Sequence, residues 1–113
     1  MKEVVYTRQT LLQFEESVKQ LVAQGYFSEE DYAVDYMRDI FRYFALNLQN
    51  SVFVKAPAYF DRYQVDSKEI FYVRYRKSYR TTWYAFFEEL DYVYSIVYLG
   101  NNNLIGHRLD ISL

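Results

Sequence analysis

A chain of 113 residues and 13.8 kDa corresponds to one domain, because single domains usually run to about 100–200 residues, and that length buries a core without a metal or a disulfide. Lys+Arg 13 against Asp+Glu 15 gives a net charge of -2, which excludes a protein basic over its whole surface. Three Gly and one Pro exclude a collagen-like or linker-rich chain, and the absence of Cys excludes disulfide frameworks, thiolate metal sites and cysteine nucleophiles. The outlying quantity is aromatic content: 14 Tyr, 9 Phe and 1 Trp make up 21% of the residues.

The opening Met1-Lys2-Glu3-Val4-Val5-Tyr6 holds no apolar stretch of signal-peptide length, and no run reaches the ~18–20 apolar residues of a membrane span. A cytoplasmic protein is expected. Glu3 to Tyr6, short, β-branched and aromatic, reads as a first edge strand. From Gln9 the period changes: Leu11, Leu12, Phe14, Val18, Leu21 and Val22 fall at spacings of three and four, the stripe of an amphipathic helix. Gly25 ends it, since glycine tolerates the left-handed conformation past a helix C-terminus. Ser28-Glu29-Glu30-Asp31 supplies a hydroxyl cap and early acids for a second helix, which carries Tyr36, Met37, Ile40, Phe41, Phe44 and Leu48 on its apolar face. The short Gly25-Tyr26-Phe27 link makes the pair an antiparallel hairpin.

Asn50 to Ser67 is irregular and holds the single proline, Pro57, with a helical turn after it. Three strand-like segments follow, Lys68 to Lys77, Thr81 to Phe87 and Tyr92 to Leu99, joined by Ser78-Tyr79-Arg80 and by Glu88-Glu89-Leu90-Asp91. The run Trp83-Tyr84-Ala85-Phe86-Phe87 has large rings on both faces, as suits a central strand. Tyr92, Tyr94 and Tyr98 share one face of the last strand by strict alternation and are candidates for a partner surface. The order β-α-α-β-β-β gives an α+β class: an N-terminal strand, an antiparallel helical hairpin, then a three-stranded antiparallel meander, all in one domain over residues 1–113.

Charge is distributed unevenly along this order. The total of -2 resolves into -3 over residues 1–67, +4 over 68–80 and -3 over 81–113. The positive segment holds Lys68, Arg74, Arg76, Lys77 and Arg80 against Glu69 alone. Alternation sets Tyr72, Arg74 and Arg76 on one face and Phe71, Val73 and Tyr75 on the other. Two guanidiniums beside a phenol suit backbone phosphates and a stacked base; a merely solvated face is the plainer reading of the same residues. His107, the sole histidine, is a candidate general acid or base by its pKa range, or simply an exposed residue of a polar tail. Neither a phosphate-cradling glycine loop nor a G-x-S-x-G nucleophile context occurs, and no cofactor or metal is expected.

The stretch Arg76-Lys77-Ser78-Tyr79-Arg80-Thr81-Thr82-Trp83-Tyr84-Ala85-Phe86-Phe87, followed by Tyr94-Ser95-Ile96-Val97-Tyr98-Leu99-Gly100-Asn101-Asn102, resembles the RelE/ParE superfamily of toxins from type II toxin–antitoxin systems. Its specific part spans about residues 57–103. The resemblance implies a RelE-like toxin that inhibits translation by ribosome-dependent cleavage of mRNA through the substrate's own 2′-OH. It further implies a cognate antitoxin protein as partner, with the ribosome and mRNA as target and no membrane. By position it assigns Arg74, Arg76 and His107 to catalysis, and Tyr72, Lys77, Arg80 and Arg108 to holding RNA and its phosphates. The acidic balance and the lack of Lys or Arg over residues 81–106 motivate the alternative: a non-catalytic protein-binding module, either a ParE-like inhibitor of DNA gyrase or a degenerate toxin that binds only its antitoxin.

Overall fold

The computed structural model describes residues 2–103, so His107 and Arg108 lie outside the described residues. The elements are β1 (Glu3–Tyr6), α1 (Arg8–Ala23), α2 (Glu30–Asn47), β2 (Val54–Lys55), β3 (Ile70–Ser78), β4 (Thr81–Glu89) and β5 (Val93–Asn101), with 3-10 turns at Leu48–Asn50 and Ala58–Tyr63. The class is α+β. The sheet has five strands in the order β1-β5-β4-β3-β2 and is mixed: β1 runs parallel to β5, and every other neighbouring pair is antiparallel. This corrects the expected architecture, a first edge strand and a three-stranded meander, to one five-stranded mixed sheet. Val54 and Lys55, inside the stretch read as loop, pair with Tyr72 and Phe71; two residues are too few to set a sequence period. The expected first edge strand, β1, is one edge of the same sheet.

The Thr7 side chain accepts from the Thr10 amide and caps α1. At its other end Tyr26 N–H donates to the Leu21 carbonyl and Gly25 N–H to Val22, with Gly25 at φ +80; the paired bonds and the left-handed glycine make the exit expected of Gly25. The expected Ser28 cap is corrected: Glu29 occupies the cap position without a side-chain bond, and Glu30 and Asp31 meet the helix dipole in the first turn. The α2 face is as its period indicates, with Met37, Ile40, Phe41, Phe44 and Leu48 buried. On α1 the face is rotated. Thr10 Oγ1 donates to the Ile96 carbonyl, while the Gln13 amide group donates to the carbonyl and accepts from the N–H of Leu99. These polar ties turn Thr10 and Gln13 to β5 and leave Leu11 and Leu12, expected on the buried stripe, about half exposed.

Both helices cover one side of the sheet, where they meet Val73, Trp83, Ala85, Phe87, Ile96 and Leu99. A second apolar cluster covers part of the opposite side: Ala56 and Phe60 lie against Ile70, Phe86 and Val97. β4 is therefore central and covered on both faces, as its aromatic run indicates. In β5 the register shifts, so that Phe86 faces Tyr98 while Phe87 faces Ile96. The extra residue, Val97, is a bulge that reverses the alternation. Tyr94 consequently packs with Phe53 and Phe87 on the helix side, Tyr98 packs with Phe60 and Tyr63 on the other, and Tyr92 precedes the strand. The expected shared face of Tyr92, Tyr94 and Tyr98 does not exist.

The other corrected turn residue is Glu88. It lies within β4, fully buried, rather than in a hairpin connection. Its carboxylate accepts from the backbone N–H groups of Val65, Asp66 and Lys68 at 2.9–3.1 Å, tying the loop after the second 3-10 turn to the sheet. Ser67 makes that wrap at φ 58.

Candidate functional site

Pairing of β3 with β4 sets Tyr72 opposite Phe86, Arg74 opposite Tyr84 and Arg76 opposite Thr82. Tyr72, Arg74 and Arg76 stand together on the side of the sheet away from the helices, as alternation requires. Both arginines are exposed; Tyr72 and Tyr84 are half-buried and meet edge to face, with ring centroids 5.6 Å apart. The arginine end is the open end of this face. The other end is roofed by the turn Ala58–Tyr63, where Phe60 stacks on Phe86 at 4.1 Å and Tyr63 on Tyr98 at 4.2 Å. Arg62 lies over the Tyr59 ring at 3.8 Å, a further cation on an aromatic surface.

Among the described residues neither Arg74, Arg76 nor Arg80 forms an ion pair. Arg76 donates to the Tyr79 carbonyl across its own hairpin. Arg80 sits at the exposed hairpin apex, its carbonyl accepting from Asn102. Lys77 is not brought to this face. It lies on the helix side, paired with Asp39 at 2.8 Å and 5.2 Å over the Tyr36 ring. Asp39 also accepts from the Tyr75 hydroxyl. Those two hydrogen bonds hold the Asp39 carboxyl below its ordinary range.

Burial raises the Tyr84 phenol above its ordinary value, and the neighbouring Arg74 charge acts against that rise. Tyr84 thus neighbours the Arg74 charge, whereas the aromatic run that holds it reads from sequence as the core of a central strand. Tyr98, expected on a partner surface, instead stacks on Tyr63, and Tyr59 and Tyr63 are missed because the turn that delivers them has no strand or long-helix period. Their only signal was aromatic spacing after Pro57. A cleft lined by Gln20, Tyr36, Trp83 and Asn101 lies on the helix side, remote from Arg74. Among the described residues no cluster of His, Cys, Asp or Glu suits a metal ion, and no helix is long and apolar enough to cross a membrane.

The buried phenols give a testable pH dependence. Burial, and next the hydrogen bond to Asp39, push Tyr75 up to about 12; burial likewise raises Tyr6, Tyr63, Tyr84 and Tyr98. A phenol whose folded value exceeds the ordinary ~10 stabilises the fold fully below that pH and loses its contribution as pH rises through the folded value. Absorbance at 295 nm should therefore show Tyr6, Tyr63, Tyr75, Tyr84 and Tyr98 ionising above the ordinary value and together with the loss of near-ultraviolet circular dichroism. Ionisation of all 14 tyrosines with the dichroism intact would contradict this.

Comparisons of the chain with protein-family models, with curated proteins and with solved structures find no match.

Proposed function

We propose that the protein is a RelE/ParE-like toxin of a type II toxin–antitoxin pair, acting on mRNA through the open arginine end of its sheet. The observation that carries this reading is the pair of exposed guanidiniums, Arg74 and Arg76, free of carboxylate partners among the described residues and set beside half-buried tyrosines. Such a surface complements a ribose-phosphate backbone with bases stacked alongside. In the proposed reaction the 2′-OH gives up its proton, its oxygen bonds to the adjacent phosphorus and the P–O5′ bond breaks, with a proton delivered to the departing oxygen. Arg74 and Arg76 would stabilise the charge that accumulates on the phosphoryl oxygens. His107 is the candidate proton carrier.

Expression of the chain alone in a bacterium tests the proposal. Growth arrest with cleavage of translated mRNA is expected, and the Arg74→Ala/Arg76→Ala variant should lose about two orders of magnitude in cleavage rate, the scale of a removed charge stabiliser. Normal growth with intact mRNA would overturn the toxin reading. One observation favours the non-catalytic alternative: part of the arginine-bearing face is already occupied by Phe60 and Tyr63, which narrows the space for substrate. Capture of gyrase without RNA cleavage would select it.

A further inference from the structure

The cleft on the helix side lies where the last turns of α1 pass the start of β4 and the end of β5, and it encloses about 200 Å³. Trp83, buried, and Tyr36 meet edge to face in its wall, with ring centroids 6.4 Å apart, and Phe27 continues the wall 5.4 Å from Tyr36. The rim is made of carboxamides. Gln20 and Gln24, both exposed, stand one turn apart on the same stripe of α1. Asn101, opposite Trp83 in the strand pairing, and Asn103 add two more. Among the described residues no charged side chain lines the cleft. Trp83 Nε1–H donates to the Tyr36 hydroxyl at 3.2 Å, and among the described residues no acceptor takes the Tyr36 O–H in turn. The cleft thus combines flat rings, carboxamides and one available phenolic donor without fixed charge. Its volume is below the ~300–1,000 Å³ of pockets for drug-sized ligands, which suits a single flat ring system.

We propose that this cleft binds the adenine ring of an uncharged nucleoside. The lining decides the base. A carboxamide of Asn or Gln matches the neighbouring donor and acceptor on the adenine edge, whereas guanine is matched by Arg or Lys and cytosine by Asp or Glu. Only the first kind of side chain lines this cleft. The aromatic wall supplies apolar surface for the heterocycle, as proteins do for unpaired bases. The lack of a cation decides the rest of the ligand, because a phosphate taken into the cleft would lose its hydration with no charge to compensate it. Lys77, over the Tyr36 ring, is already paired with Asp39. The inference concerns the side of the sheet opposite Arg74 and does not rest on the nuclease reading.

Trp83 is the single tryptophan of the chain, so its fluorescence reports on the cleft directly. Adenosine titrated into the full chain should change that emission saturably and shift the indole N–H resonance in NMR spectra. Inosine, which carries an acceptor in place of the 6-amino donor, should bind about tenfold more weakly, the scale of one lost hydrogen bond. Gln20→Ala/Gln24→Ala should weaken adenosine by about tenfold or more. Its circular dichroism should be unchanged, since both positions are exposed and alanine favours the helix. The proposal is overturned if adenosine leaves the emission and the indole resonance unchanged, if inosine or glucose binds as tightly, or if the double variant keeps full affinity. Tighter binding of AMP than of adenosine would also overturn it, because that requires a phosphate site the lining does not provide. Neither growth nor RNA cleavage is read in any arm, so failure here is separable from failure of the toxin reading.

Discussion

Phe86→Ala should lower the unfolding free energy by about 4 kcal/mol, in the range typical of deleting a buried aromatic ring. Phe86 is fully buried on the side of the sheet away from the helices. It stacks on Phe60 and contacts Tyr72 and Tyr98. Its removal leaves a void in the small second cluster, which has few other residues to close it. Domains of this size are stable by only about 5–15 kcal/mol, so the variant should be marginal at ordinary temperature. Urea denaturation measures the loss, and Phe86→Leu, which refills most of the void, serves as the control. A loss below about 1 kcal/mol for the alanine variant would mean that the Ala58–Tyr63 turn does not depend on this ring. In the expected outcome the roof over the arginine-bearing face loosens, and the site changes shape along with the fold.

Glu88→Ala should cost about 3 kcal/mol, because three backbone N–H groups lose a shared charged acceptor at once. Glu88→Gln keeps one acceptor oxygen and should cost about half as much. Exchange of the Val65, Asp66 and Lys68 amides should rise in both variants, most in the alanine one. Unchanged exchange at those amides would sink the assignment of Glu88 as the anchor of this loop. Glu89, its neighbour, faces solvent and pairs with Lys2; its substitution should be nearly neutral, as is usual for an exposed ion pair.

Glu88 also shows where sequence reading reached its end. Glu88-Glu89-Leu90-Asp91 has the composition of a turn, and nothing local distinguishes a carboxylate that solvates itself from one that gathers amides twenty residues upstream. The α2 stripe was legible because five large residues recur at helical spacing, and β4 because its rings alternate without interruption. β5 was not, because a single inserted residue, Val97, reverses every side chain after it and leaves no compositional mark. Leu11 and Leu12 misled for a related reason: the face of α1 is set by polar bonds from Thr10 and Gln13 to β5, which an apolar count ignores. Of the candidate site, Tyr72, Arg74 and Arg76 followed from alternation. Lys77, grouped with them by charge, parts from them on the same alternation and pairs with Asp39 on the helix side. Tyr63 and Tyr98 became neighbours only through tertiary packing.

The parallel pairing of β1 with β5 joins Glu3–Tyr6 to Val93–Ile96, nearly the whole described span apart. During synthesis the two helices are made early, and their apolar faces then wait for strands that arrive last. Contacts of such sequence separation slow folding and prolong the exposure of unsatisfied surface. The sheet cannot be assembled on the ribosome until β5 has emerged, so any activity that needs the Arg74 face in its native shape switches on only after almost all of this domain has been translated.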